Sequence, residues 1–323
     1  MSDSVRRAAA IGGGTGLPTV LACLIALGFN TSAVVTMADD GGSTGLLRRE
    51  LGMLPPGDIR NCLVALGDSE ALLSRLFQYR FPHGEGLAGH ALGNLVLAAL
   101  TDITGSFPDA IAFAAELLGA RGNALPCTLE DVHLTAVDAA GRPVRGQSTI
   151  AVSNGPIADV TLDPELPAAY EPAIEAIVHA DVIVIGPGSL FTSIIPNFLV
   201  ARVADMVRES SATRVYVCNV ANQRGETAGM DAVDHVTALV DHGLAGGLDV
   251  VLVHDTDAYP VRVSTVSGYD GSPHPVDPVA AGSEVVERIE AMGMRVVTAE
   301  LADGDNPLHH DGARLLEALR EVV

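Results

Sequence analysis

The residues best suited to chemistry lie in three glycine-rich segments, each following a short apolar run. Ile11-Gly12-Gly13-Gly14-Thr15-Gly16 closes the first run and opens a helix-like stretch, Leu17 to Leu27. Glycines let backbone amides approach a phosphate closely, and a helix start adds partial positive charge. A second run, Ser32 to Ala38, ends in Asp39-Asp40-Gly41-Gly42-Ser43-Thr44-Gly45, and a third ends at Ile185 before Gly186-Pro187-Gly188-Ser189. Thr192 and Ser193 follow with further hydroxyls, and a fourth run ends at Asn219. Thr15, Asp39 or Asp40, Ser189 and Asn219 are thus expected along one edge of a sheet, where open α/β sheets bind ligands. The chemistry this implies is capture of a diphosphate by amides, with an aspartate accepting ribose hydroxyls. The same paired aspartates permit a magnesium ion bridging the phosphates.

Stricter motifs are not met. Gly12 and Gly14 fit the dinucleotide fingerprint but Leu17 fills its third glycine position, and no Walker lysine follows the loop. The Gly188-Ser189 segment has no GxSxG elbow, so a hydrolase nucleophile is not supported. A bare tight turn is the competing reading of Gly12 to Gly16.

Two helix starts add polar groups. Pro55-Pro56-Gly57-Asp58-Ile59-Arg60-Asn61 feeds a helix with Asp58 as its expected N-cap, leaving Arg60 and Asn61 in the first turn. His90 and Asn94 share a helix face at a spacing of four, and no second histidine stands at metal-ligand spacing there. His309-His310-Asp311 reads as a solvated loop. Arg48, Arg49, Arg60, Arg75 and Arg80 crowd one stretch after the second glycine segment, where they either meet an anionic ligand or pair with Glu50, Asp58, Asp68 and Glu70.

The chain of 323 residues contains 19 basic residues, all arginine, against 40 acidic ones, for a formal charge of −21. Such a surface repels nucleic acid and anionic lipid, so no nucleic-acid partner is expected. Without lysine, any phosphate must be held by backbone amides, helix dipoles and arginine forks. The four cysteines are dispersed without a CxxC, as in a reducing compartment. No signal core or bilayer-length apolar run is visible. A cytoplasmic protein with no membrane insertion is the expectation, and a homodimer is the default for this size.

The elements that must position these groups alternate. Strands are expected at Ala8–Ile11, Ala33–Met37, Val182–Ile185, Arg214–Cys218, Val250–Val253 and Arg295–Thr298, as the short continuous apolar runs of a parallel sheet covered on both faces. Helices are expected at Leu17–Leu27, Asp58–Leu66, Ser69–Tyr79, Ala91–Thr101, Phe107–Leu118, Pro167–His179, Thr192–Glu209, Asp231–His242, Gly282–Met292 and Gly312–Val322. Residues 124–162 break the pattern with alternating runs at Val132–Val137, Ser148–Val152 and Ala158–Leu162, read as an antiparallel β-insertion. Gly268 to Pro278 reads as a loop. The expected whole is one doubly wound α/β domain spanning 1–323.

The blocks Ile11–Leu17, Ala38–Ser43, Leu54–Leu63, Gly89-His90 with Gly93-Asn94, Gly186–Leu190 and Cys218–Val220 resemble the signature blocks of the gluconeogenesis factor (YvcK-like) family. That family is distantly similar to the 2-phospho-L-lactate transferases of deazaflavin cofactor synthesis. The resemblance covers residues 8 to about 235 strongly and the C-terminal part more weakly. It implies a Rossmann-like fold and a cytoplasmic protein that supports cell shape and wall synthesis during gluconeogenic growth. It further implies binding of a UDP-sugar, UDP-N-acetylglucosamine foremost, or an NAD-like dinucleotide, with no reaction firmly attached and no catalytic residue named. The ligand-binding set it implies is Gly13, Gly14, Thr15, Gly16, Asp39, Asp40, Gly41, Gly42, Ser43, Arg60, Asn61, His90, Asn94, Gly188, Ser189, Ser193 and Asn219, with Tyr269 against base or sugar. The chain departs from the family pattern at Thr44, where a serine is usual, at Leu46, where a basic residue is common, and at His309, which replaces an arginine. An imidazole is a poor substitute for a guanidinium fork on phosphate. The alternative is a magnesium-dependent transferase of the phospholactate type.

Overall fold

The structure, a computed structural model, describes residues 5–152, 156–261, 265–267 and 273–323. Its strands are β1 (Arg7–Gly12), β2 (Asn30–Val35), β3 (Gly122–Pro126), β4 (His133–Asp138), β5 (Pro143–Arg145), β6 (Ile157–Asp163), β7 (Val182–Ile185), β8 (Thr213–Val217), β9 (Val250–His254), β10 (Thr265–Ser267), β11 (Pro273–Pro275) and β12 (Arg295–Ala299). Seven of them form one sheet in the order β12-β9-β8-β7-β1-β2-β3, and every neighbouring pair in it is parallel. The chain starts near the middle, winds outward through β2 and β3, then returns to β7 on the other side of β1. The order therefore reverses between β1 and β7, which makes the gap beyond their carboxyl ends the topological switch point.

The apolar runs fold as they do because both faces are covered. β7 and β9 are buried along their whole length, and β1 is buried from Ala8 to Gly12. The alanines of β1 keep the middle of the sheet thin. Leu17–Ala26 packs there with Gly57–Leu66 and Gly312–Arg320, while Glu171–Val178 packs against β1, β2, β3 and the helix Val203–Glu209. With no tryptophan available, fully buried Tyr216, Leu17, Leu21, Met37 and Ile59 fill the largest volumes.

Several element expectations need correction. Residues 124–126 belong to β3 of the parallel sheet, so the antiparallel part is the three-stranded sheet β5-β4-β6. Ser148–Val152, read as a strand, lies largely in a short helix, Gln147–Ala151. Its β-branched residues suggest extension, but the Asp40 carboxylate binds the Gln147 and Ser148 amides and starts a helical turn. A helix at Gly42–Leu51 was not foreseen, because its glycines and arginines show little apolar periodicity. The single helix expected at Thr192–Glu209 is two pieces, Leu190–Phe198 and Val203–Glu209, bent by 77° at a break where Arg202 has φ 68°. The loop expected at Gly268 to Pro278 lies partly outside the described residues, and within it Pro273–Pro275 is a strand, β11, paired antiparallel with β10. Among the described residues no single helix is long and apolar enough to cross a membrane.

Candidate functional site

The first and third glycine segments meet at the switch point. A methyl group on Gly13 would lie 2.7 Å from Asp58 Oδ2 and 2.8 Å from Thr36 Cγ2, and one on Gly16 would lie 2.6 Å from the Pro187 carbonyl oxygen. Glycine is required at both positions by this close approach, not only by the turn. Ser193 faces Gly14 across the same gap, its Oγ 3.3 Å from where a Gly14 methyl would sit. Buried Asn197 joins the two segments, its amide donating to the carbonyls of Gly12 at 3.2 Å and Ser193 at 2.9 Å.

Not every amide in these loops points outward. The Gly14 N–H donates to Asp58 Oδ2 at 2.8 Å, and the Gly188 N–H donates to Asn219 Oδ1 at 3.2 Å. Asn219 in turn donates to the Gly188 carbonyl at 2.7 Å, so it braces the loop. The start of the helix after Ser189 is taken by Glu226. This fully buried carboxylate accepts the Phe191 amide at 3.2 Å and the Thr192 hydroxyl at 2.7 Å, and burial pushes its pKa up to about 7. The diphosphate cradle expected at Gly188-Ser189 is therefore narrower than its sequence implies: Ser189 is half-buried with its side chain uncommitted, and Thr192 is not available.

The second segment supplies the more open helix start. The first backbone bond of Gly42–Leu51 runs from Gly45 N to Gly41 O, so the amides of Gly42, Ser43 and Thr44 precede it and remain for a ligand. Asp39 faces inward. Its Oδ1 accepts the Gly41 amide at 3.0 Å, its side chain bonds the Thr44 hydroxyl, and burial raises its pKa. Thr44 thus serves Asp39, which accounts for a hydroxyl at that position.

Asp58 is not the N-cap of its helix; Pro56 occupies that place and Asp58 reaches across to Gly14 instead. It is pushed up to about 7, first by burial and then by the neighbouring charge of Asp39. Asp39 therefore shares its surroundings with two carboxylates, Asp58, whose pKa its charge raises, and the adjacent Asp40, whose charge raises its own. Asp40 turns to the other side of the chain and accepts the amides of Gln147 at 3.0 Å and Ser148 at 2.8 Å. The two neighbouring aspartates thus take different hydrogen-bond partners, Asp39 the Gly41 amide and Asp40 the amides of Gln147 and Ser148.

Beside these carboxylates lies a buried polar chain. Ser43 Oγ is 3.0 Å from His90 Nδ1 and accepts from Asn94 Nδ2 at 3.1 Å, while Arg60 donates to Asn94 Oδ1 at 2.9 Å and Asn61 Oδ1 at 2.7 Å. Arg60 makes no ion pair with a carboxylate among the described residues, and its Nε is buried without a partner. Burial, and then the Arg80 charge, lower its pKa to about 10, so it stays cationic at neutral pH. The charges of Asp58 and Asp39 offset part of the cost of burying this cation, and an anionic ligand nearby would offset more.

The structure thus brings the segment Gly13, Gly14, Thr15 and Gly16 together with Gly188, Ser189, Ser193 and Asn219 at the switch point. Asp39, Gly41, Gly42, Ser43, Arg60, Asn61, His90 and Asn94 form a second group, joined through Ser43, Asn94 and Arg60. Asp40 is set apart, and Tyr269 lies outside the described residues. His309 is exposed. Of the clustered arginines, Arg48 is committed to Asp131 and to the carbonyls of Asp39 and Val132. Asp58, Glu226 and Asn197 are structural members of the site that sequence reading missed; only the phrase Gly57-Asp58 in the second helix start carried a signal, and it pointed to a cap. No cluster of three or more histidine, cysteine, aspartate or glutamate residues among the described residues could alone hold a metal. Asp39 and Asp58 are the carboxylates available to a magnesium ion, whose remaining positions water and phosphate oxygens of a ligand would fill.

Residues 8–302 match the family model of 2-phospho-L-lactate transferase CofD. The gluconeogenesis factor of Bacillus subtilis is 42% identical over 316 residues, covering 98% of this chain and 97% of that one. The gluconeogenesis factor of Halalkalibacterium halodurans is 41% identical over 311 residues, 96% and 94% of the two chains. A crystal structure of a Bacillus halodurans protein superposes with a TM-score of 0.89 at 40% identity, covering 98% of this chain and all of that one.

Proposed function

Because the chain belongs to the gluconeogenesis factor family, within the wider family of the 2-phospho-L-lactate transferase CofD, we propose that it binds a nucleoside-diphosphate sugar, with UDP-N-acetylglucosamine as the leading ligand, in the cleft at its switch point. The observation that carries this reading is the open start of the helix Gly42–Leu51, with Thr44 against Gly57 and the next residue, Asp58, bonded to the Gly14 amide, and with the buried cation Arg60 beside it. The amides of Gly42, Ser43 and Thr44, with those of Thr15 and Gly16, hold the diphosphate; Ser189 and Ser193 offer hydroxyls at the other end. Arg60 acts through Asn94 and Ser43, supplying positive potential without touching the ligand. The family resemblance assigns contact with base or sugar to Tyr269, which lies outside the described residues. The protein then acts as a cytoplasmic homodimeric sensor of nucleotide sugar that supports cell shape and wall synthesis on gluconeogenic carbon sources. Titration calorimetry with UDP-N-acetylglucosamine, UDP and N-acetylglucosamine tests this. Heat with the first two is expected, and none with any of the three overturns it.

One observation favours a second reading, a magnesium-dependent transferase. Asp39 and Asp58 lie side by side with raised pKa values, a state a divalent cation would relieve. When bound, the ion would neutralise diphosphate charge at a scissile bond, and these two residues would hold it. Incubation with magnesium and nucleoside-diphosphate donors decides: turnover that is lost in Asp58→Asn supports a transferase, and binding without turnover removes it.

A further inference from the structure

Asp40 and the short helix it binds are not absorbed by the reading above. Asp40 spans two backbone amides of Gln147–Ala151, and a methyl group on Gly146 would lie 2.8 Å from Asp40 Oδ2, so the approach tolerates no side chain there. Gly146 also has φ +89°, outside the range other residues adopt readily. Three further contacts seat the same part of the chain. Arg48 reaches the Val132 carbonyl at 2.8 Å, the Ile157 amide donates to the Glu226 carbonyl at 3.0 Å, and Gly225 lies against the Ala151 carbonyl. Both Asp40 and Arg48 belong to the second glycine segment and its helix, so the antiparallel sheet is tied to the element that carries the open amides.

The outcome is that Gln147 and Ser148 stand at Gly41. Gln147 Oε1 and Ser148 Cβ are each 3.8 Å from the position a Gly41 methyl would take. Gly146 to Val152 contains no charged side chain. Its amide and hydroxyl groups suit neutral hydrogen-bonding partners rather than phosphate. We propose that Asp40 is a positioning residue that holds Gln147 and Ser148 beside Gly41, at the open start of the helix Gly42–Leu51, where they select the uncharged, hydroxyl-bearing sugar of a nucleoside-diphosphate sugar. This rests on the ligand class given under Proposed function. Asp40 touches no ligand itself; its two charge-assisted bonds fix where the segment lies.

The test compares two probes, UDP-N-acetylglucosamine and UDP, on the full chain. Asp40→Ala and, separately, Gln147→Ala should weaken the sugar nucleotide about tenfold, the effect of losing one or two neutral hydrogen bonds, with UDP affinity about unchanged. Asp40→Ala should also speed amide exchange at Gln147–Ala151, and Gln147→Ala should not. Equal weakening of both probes, or of neither, overturns the proposal while leaving the ligand class intact. A parent chain that binds neither probe overturns the ligand class and this proposal together. Gln147→Ala guards against a folding defect, since it removes a side chain without touching the Asp40 bonds.

Discussion

Asp58→Asn is the perturbation that most cleanly separates a site residue from a stabilising one. Asp58 is buried, accepts the Gly14 amide, and is pushed from an ordinary 3.8 up to about 7 by burial and by Asp39. A carboxyl whose folded pKa is raised favours the folded state fully only below its unfolded value, and that contribution is lost as pH rises through the folded one. The interval from 3.8 to about 7, at about 1.4 kcal/mol per pH unit, corresponds to about 4 kcal/mol lost by pH 8. Asparagine keeps an acceptor for the Gly14 amide and presents an NH2 group where the charge stood beside Asp39. The variant should therefore match the parent near pH 4 and exceed it by up to about 4 kcal/mol at pH 8. Urea unfolding followed by circular dichroism across that range measures this, the chain having no tryptophan to report by fluorescence. A variant less stable than the parent at pH 8, or a difference that does not change with pH, refutes the reasoning. Magnesium should narrow the gap by stabilising only the parent if the Asp39–Asp58 pair holds the ion.

Other outcomes follow from the same geometry. Glu226→Gln should gain on the parent by about 3 kcal/mol between pH 5 and pH 8 in the same assay, because Glu226 is likewise raised from 4.5 to about 7 by burial. Gly16→Ala drives a methyl into the Pro187 carbonyl and should cost about 1–3 kcal/mol in thermal or urea unfolding while weakening nucleotide binding. All four cysteines are buried and free, and burial raises the thiols of Cys23, Cys62, Cys127 and Cys218. Alkylation of the native chain at pH 8 should label none of them within the time that labels all four in urea.

The main sheet was legible in the sequence wherever a strand is buried on both faces. Ala8–Ile11, Val182–Ile185 and Val250–Val253 are uninterrupted apolar runs, and all three are central strands. β3 was harder to read, since its Gly122-Asn123-Ala124-Leu125-Pro126 lies at the sheet edge and ends in proline. The glycine segments were legible because close backbone approach leaves a compositional trace. Pairing between distant polar groups leaves none. Nothing in Asp39-Asp40 tells that one carboxylate turns toward Asp58 and the other toward Gln147, and Gly57-Asp58 looks like a cap because a cap is the local use of such a residue. Glu226, buried beneath the third segment, was invisible for the same reason: its partners Phe191 and Thr192 are 35 and 34 positions away.

The most direct test is a crystal structure of the protein with UDP-N-acetylglucosamine. The account predicts diphosphate oxygens within hydrogen-bonding distance of the Gly42, Ser43 and Thr44 amides, with the Gly13–Gly16 loop alongside. A nucleotide bound away from these amides, or a cleft left empty at saturating ligand, would contradict it.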